Sequence, residues 1–276
     1  RTGIGLPAYY NDEVIIPALQ NRGLSLEDAR DYNIIGCVEP QKAGKTEGWH
    51  DAAFFNMCRP LELVFANGMD KGEIVGIPTG DVTQMKSFEE FFDAYKKQME
   101  YCISLLVNAD NAIDVAHAER CPLPFLSCMI DDCLKEGRSV QEGGAVYNFT
   151  GPQGFGIANM ADGLFAIRKL VYEEKKVSME EFKEALAWNY DKGLDAQSAG
   201  DMTEMIMKAM QKAGKEADAS TAAGLLKTFI GMKPGEQKTQ RFKEIHDMID
   251  EVPKFGNDIP EVDYFAREVA YTYSKP

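Results

Sequence analysis

Gly36-Cys37-Val38-Glu39-Pro40-Gln41, followed by Gly48-Trp49-His50-Asp51-Ala52-Ala53-Phe54-Phe55-Asn56, is the stretch of this sequence that says most about its fold. The run Tyr32-Asn33-Ile34-Ile35-Gly36-Cys37-Val38 reads as a short buried strand that ends at Pro40. Residues two apart in extended backbone point to the same side, so Cys37 and Glu39 are expected to face one cavity while Val38 packs backwards. Gly36 lets the chain turn or approach closely before the thiol, and Pro40 removes a backbone donor and stops the ladder. That geometry suits a loop tip on which a thiol and a carboxylate share a site. Fourteen residues after the cysteine stands Asp51, which precedes the apolar, helix-like run 52–56 and is placed to cap it. Plainer readings stand beside these. A cysteine at a strand end is often a packed small hydrophobe, a glutamate before proline is often solvated, and His50 fits a site or a surface equally.

Working outward, Ser25-Leu26-Glu27-Asp28 resembles a capping box that opens a short helix. The same signature at Ser87-x-x-Glu90 starts a clearer helix, because Phe88, Phe91, Phe92, Tyr95, Met99, Cys102, Ile103 and Leu106 follow three-and-four spacing; Cys102 is then core. It recurs at Ser178-x-x-Glu181, ahead of Phe182, Ala185, Leu186 and Trp188, and a further amphipathic helix carries Phe242, Ile245 and Ile249. Loop-rich stretches fall at 36–48, 68–80, 143–156 and 231–235, and no repeat is visible. Helices alternating with short strands at glycine-rich exits favour an α/β architecture.

Composition removes several classes of function. The 276 residues are 45% hydrophobic, enough for one large core or two smaller ones. Lys plus Arg number 30 against 44 Asp plus Glu, a formal charge of -14 that repels phosphate backbones and anionic lipid, so no nucleic-acid or membrane partner is expected. No apolar run approaches the length of a membrane span and no signal peptide opens the chain, which makes the cytoplasm the expected location. Beginning at Arg1 and stopping at Pro276 without a capping element, the sequence is expected to be a fragment of a longer chain. The six cysteines read as reduced thiols, and the C-x6-C-x4-C spacing of Cys121, Cys128 and Cys133 lacks the close pair of a zinc site.

Two glycine-rich segments look like nucleotide loops and are not. Gly44-Lys45-Thr46 has Glu39 where a phosphate-binding loop needs its first glycine, and a carboxylate there repels phosphate. In Gly151-Pro152-Gln153-Gly154-Phe155-Gly156 a dinucleotide fingerprint read from Gly154 needs a glycine at the position of Asn159. Thiolate hydrolysis needs a histidine near the cysteine; of His50, His117 and His246, the last two sit on helical patterns as structural or exposed residues.

The motif Gly36-Cys37-Val38-Glu39-Pro40-Gln41 with Gly48-Trp49-His50-Asp51 resembles the active-site region of glycyl radical enzymes, the pyruvate formate-lyase-like family. Upstream, Gly5-Leu6-Pro7-Ala8 and Asn11-Asp12-Glu13-Val14 resemble that family's approach to the cysteine, and Tyr147-Asn148-Phe149-Thr150-Gly151-Pro152-Gln153-Gly154 its downstream glycine-rich segment. The resemblance implies that residues 1–276 are part of a ten-stranded α/β barrel with many surrounding helices, lacking the amino-terminal half and the carboxy-terminal glycyl radical domain. The Arg-Val-Ala/Ser-Gly-Tyr/Phe motif of that domain does not occur here. Cys37-Val38 replaces the paired cysteines of pyruvate formate-lyase, which disfavours acyl transfer. Cys-x-Glu is similar to the eliminating branch: glycerol and propanediol dehydratases, hydroxyproline dehydratase, choline trimethylamine-lyase and isethionate sulfite-lyase, with arylacetate decarboxylases sharing it.

What the resemblance implies for chemistry is a thiyl relay at Cys37, a general base at Glu39 that takes the proton of the hydroxyl on the radical carbon, and a hydroxyl partner at Asp51, with His50 a further substrate-binding candidate. It implies no bound cofactor, a radical stored on a glycine outside this chain, a radical S-adenosylmethionine activating enzyme as partner, and a homodimer when complete. An oxygen-free cytoplasm follows, because carbon and sulfur radicals are quenched by oxygen. The leading expectation is C–O cleavage in a small hydroxylated substrate. Isethionate sulfite-lyase is the rival within the family, and a truncated, non-catalytic α/β interaction module the rival outside it.

Overall fold

The structure is a computed structural model and describes residues 10–36, 38–190, 207–208 and 236–275; Cys37 lies outside the described residues. In chain order, α1 (Asp12–Asn21) and α2 (Leu26–Arg30) lead into β1 (Asn33–Ile35), β2 (Glu39–Gln41), β3 (Thr46–Trp49) and β4 (Phe54–Asn56). Then come α3 (Cys58–Phe65), β5 (Met69–Asp70), β6 (Glu73–Ile74), α4 (Phe88–Arg120), α5 (Pro124–Ser127) and α6 (Cys133–Glu136). The last elements are β7 (Tyr147–Thr150), β8 (Gln153–Phe155), α7 (Ile157–Ile167), α8 (Met179–Ala187), α9 (Glu236–Glu251) and α10 (Pro260–Ser274). The chain forms two compact units, residues 1–55 with 105–153 and residues 56–104 with 154–276. The helix α4 contributes its first half to the second unit and its remainder to the first.

The first unit holds the strands that matter for the site. Its core gathers Leu19 of α1, Leu24 of the connection and Ala29 of α2, against Ile15, Ile16, Tyr32, Tyr147 and Phe149. Ser25 caps α2 by accepting the Asp28 backbone N–H at 3.0 Å, as the sequence pattern requires. β1 and β2 form an antiparallel hairpin with Ile35 opposite Glu39, and β3 runs parallel to β7 with Thr46 opposite Tyr147. The parallel pair joins segments far apart in sequence, and the intervening chain makes the crossover that parallel pairing demands.

Four expectations change here. The buried strand over residues 32–38 is instead the short β1, whose Ile35 is 42% exposed. Pro40 does not stop the ladder: it lies within β2 opposite Ile34, and a two-stranded ribbon has outer positions where a missing N–H costs nothing. Val38 is 51% exposed rather than packed backwards. The run 52–56 is a turn followed by β4, not a helix, so Asp51 caps nothing.

In the second unit α4 places Phe88, Phe91, Tyr95 and Met99 in the core, as the spacing predicts. Phe88 meets Phe265 of α10 edge to face at 5.4 Å, and Phe65 meets Phe91 at 5.6 Å, the geometry that ring quadrupoles favour. Cys102 is half-buried rather than core, and burial raises its thiol pKa. Ser178 and Glu181 close a reciprocal capping box on α8, and α9 buries Phe242 and Ile245. Leu186, expected on the apolar face of α8, is 40% exposed. No helix among the described residues is long and apolar enough to cross a membrane.

Candidate active site

The hairpin connection between β1 and β2 runs through Gly36 and Val38, on either side of Cys37. Gly36 sits at φ +60°, and a Cβ there would lie 2.7 Å from Glu39 Oε2. The left-handed backbone favours glycine, and the Glu39 carboxylate folds back over it. The Glu39 carboxylate accepts the Val38 backbone N–H at 2.8 Å through Oε2. Through Oε1 it accepts the side-chain amide of Gln153 at 2.6 Å. The same amide nitrogen, Nε2, also donates to Asp51 Oδ1.

Gln153 is the residue that sequence reasoning missed. It was visible only as one letter of the Gly151-Pro152-Gln153-Gly154 segment, and neither periodicity nor spacing connects positions 114 apart. Its backbone is tied to the turn that carries Asp51. The Gln153 N–H donates to Ala53 O at 2.8 Å and the Gly151 N–H to Trp49 O at 2.9 Å. Glu39, Asp51 and Gln153 therefore converge within the first unit, although they come from β2, the loop before β4, and β8.

His50 is placed differently. Its ring folds back on Gly48, where a Cβ would lie 1.8 Å from Nε2, and turns its edge to Phe149 at a centroid distance of 6.4 Å. Burial lowers its pKa, opposed by the negative charges of Glu39 and Asp51, so the neutral imidazole is favoured. Nε2 is buried with no hydrogen-bond partner among the described residues. The ring helps to wall a cavity of about 270 Å³ together with Val14, Leu19, Pro40, Phe149 and Thr150.

The other candidates settle into structural work. Lys45 of the false phosphate loop pairs with Asp28 at 2.8 Å, and the Tyr147 hydroxyl donates to the same carboxylate at 2.7 Å. These bonds bring the pKa of Asp28 down to about 2. His117 lies in α4, its ring edge-on to Trp49 at 5.0 Å, and His246 lies in α9, 3.3 Å from Asp250. Among the described residues no group of three or more His, Cys, Asp and Glu is arranged to hold a metal ion.

The motif Gly36-Cys37-Val38-Glu39-Pro40 resembles that of glycyl radical enzymes, and comparison with known proteins assigns the chain to that class. The chain belongs to the pyruvate formate lyase-like family, which it matches over residues 1–276. A solved structure of 1,2-propanediol dehydration in Roseburia inulinivorans is 62% identical, with a TM-score of 0.92 over 99% of this chain and 32% of that one. The glycerol-bound B12-independent glycerol dehydratase of Clostridium butyricum is 48% identical, with a TM-score of 0.76 over 98% of this chain and 28% of that one. Among curated proteins, the (2S)-3-sulfopropanediol dehydratase of Klebsiella oxytoca is 40% identical over 192 residues, 69% of this chain and 23% of that protein. The chain thus spans about a quarter to a third of the length of these relatives.

Proposed function

We propose that this chain carries the catalytic-cysteine part of a glycyl radical dehydratase, built as a ten-stranded barrel when complete, that cleaves a C–O bond in a small vicinal diol. The observation that supports this best is the convergence of Glu39 and Asp51 on one amide nitrogen, with Glu39 two residues from Cys37 in the sequence. Two neighbouring carboxylates offer acceptors to two neighbouring hydroxyls, and the similarity to proteins of diol dehydration points the same way. A glycyl radical elsewhere in the complete protein, installed by a radical S-adenosylmethionine activating enzyme, supplies the unpaired electron.

Cys37, as thiyl, takes a hydrogen atom from the carbinol carbon. Glu39 accepts the proton of the hydroxyl on that carbon, which raises the electron density there. Asp51 holds the neighbouring hydroxyl, which departs as water with the proton that Glu39 has taken, leaving Glu39 ionised again. The remaining carbonyl-bearing radical recovers its hydrogen from the Cys37 thiol, so that diol becomes carbonyl compound plus water. In this reading His50 is pocket wall, its neutral ring excluding water from one side.

The test is product analysis of the full-length protein, activated without oxygen, on propane-1,2-diol, glycerol and isethionate. Carbonyl product from a diol is expected; sulfite from isethionate with no diol turnover would overturn the dehydratase reading. Cys37→Ser should abolish turnover while the glycyl radical stays visible by electron paramagnetic resonance, and Glu39→Gln should lose elimination with the fold intact. Activity retained by the serine variant removes Cys37 from the relay.

A further inference from the structure

We propose that Gln153 is a positioning residue for the reaction, its single amide group fixing the separation of Glu39 and Asp51 and supporting Glu39 as the base; this rests on the functional reading of those two carboxylates given above. Both acceptors are carboxylates, which when ionised only accept, so the nitrogen of the amide rather than its oxygen faces them. An NH2 group has two hydrogens diverging from one atom. Nε2 can therefore serve Glu39 Oε1 at 2.6 Å and Asp51 Oδ1 at the same time. The amide is anchored from behind, because the Gln153 backbone donates to Ala53, two residues after Asp51. The Val38 N–H holds the other oxygen of Glu39 at 2.8 Å, so the carboxylate is oriented from both sides.

The choice of glutamine has a chemical reason. Two carboxylates brought to one point repel each other. A lysine or arginine at position 153 would cancel that repulsion but would also lower the pKa of Glu39 and weaken it as a base. A neutral donor holds both groups ionised and close while leaving Glu39 basic enough to take a hydroxyl proton. Its amide hydrogens are also far too weakly acidic to compete in the transfer.

The experiment uses the full-length protein with its activating enzyme and compares wild type with Gln153→Leu and Gln153→Glu. Radical yield by electron paramagnetic resonance is measured first, to show that fold and activation are intact. Loss of a hydrogen bond to a charged acceptor should lower kcat roughly tenfold. Removing the donor also takes away stabilisation of the ionised base, so the acid limb of the kcat against pH profile should move to higher pH, further for Gln153→Glu than for Gln153→Leu. Unchanged kcat, or a fall that is uniform in pH with the limb in place, overturns the proposal, the second result being that of a merely structural residue. If wild type turns over isethionate and no diol, the dehydratase reading falls, and the same pH comparison on isethionate still decides the case of Gln153. If activated wild type turns over none of these substrates, both fall.

Discussion

Gly48 has no side chain because the imidazole of His50 occupies the space a Cβ would need. The consequence is measurable. Gly48→Ala must push the His50 ring out of its pocket against Phe149, an overpacking expected to cost about 1–3 kcal/mol in a urea titration. The double variant Gly48→Ala with His50→Ala should recover part of that loss, because the clash needs both side chains. Additive losses would show that the two do not meet. Position 36 obeys a different constraint, a left-handed backbone with the Glu39 carboxylate laid against it. The sequence shows both glycines as turn signals. It cannot show that one makes room for a carboxylate and the other for an imidazole, since those partners are fixed by side-chain torsions rather than by spacing.

Elements whose signals are local were readable in advance. The side-chain cap at Ser25, the capping box at Ser178 and the Ser87 start of α4 concern a side chain and a backbone group three residues apart, so the letters suffice. The strands were hard because they are 2–4 residues long, too short for a period of two to stand out, and six of them, β2, β3, β5, β6, β7 and β8, fall at the glycine-rich stretches that read as loops. The parallel pair β3–β7 also hides a titration. Glu47 on β3 is partly buried, and burial, aided by the charge of Asp114, pushes its pKa up to about 7. A carboxyl whose pKa is raised in the folded state favours folding in its protonated form. Its contribution is complete below the unfolded value of about 4.3 and is lost as pH rises through about 7. Glu47→Gln removes this titration. The variant should gain stability relative to wild type as pH rises from about 4.3 to about 7 and then level off, read as the difference in urea midpoints; a difference that does not change with pH would show that Glu47 is ionised throughout.

For the whole molecule, charge and exposed apolar surface act in opposite directions. The net charge of -14 keeps copies apart at low ionic strength. Yet within residues 123–134 stand Leu123, Phe125, Leu126, Met129 and Leu134, with Phe125 79% and Leu134 72% exposed. Single exposed hydrophobes are ordinary, but several in one short segment form the kind of surface that marks an interaction site. The 276-residue chain by itself should therefore self-associate, and more strongly as salt rises, because the screening length falls from about 30 Å at 0.01 M to about 8 Å at 0.15 M while apolar contact is not screened. Light scattering across that salt range checks the direction. Phe125→Ser combined with Leu134→Ser should lower the scattering at the higher salt concentration. Association that weakens with salt, or that ignores the double substitution, would assign the contact to charge pairs instead of to this segment.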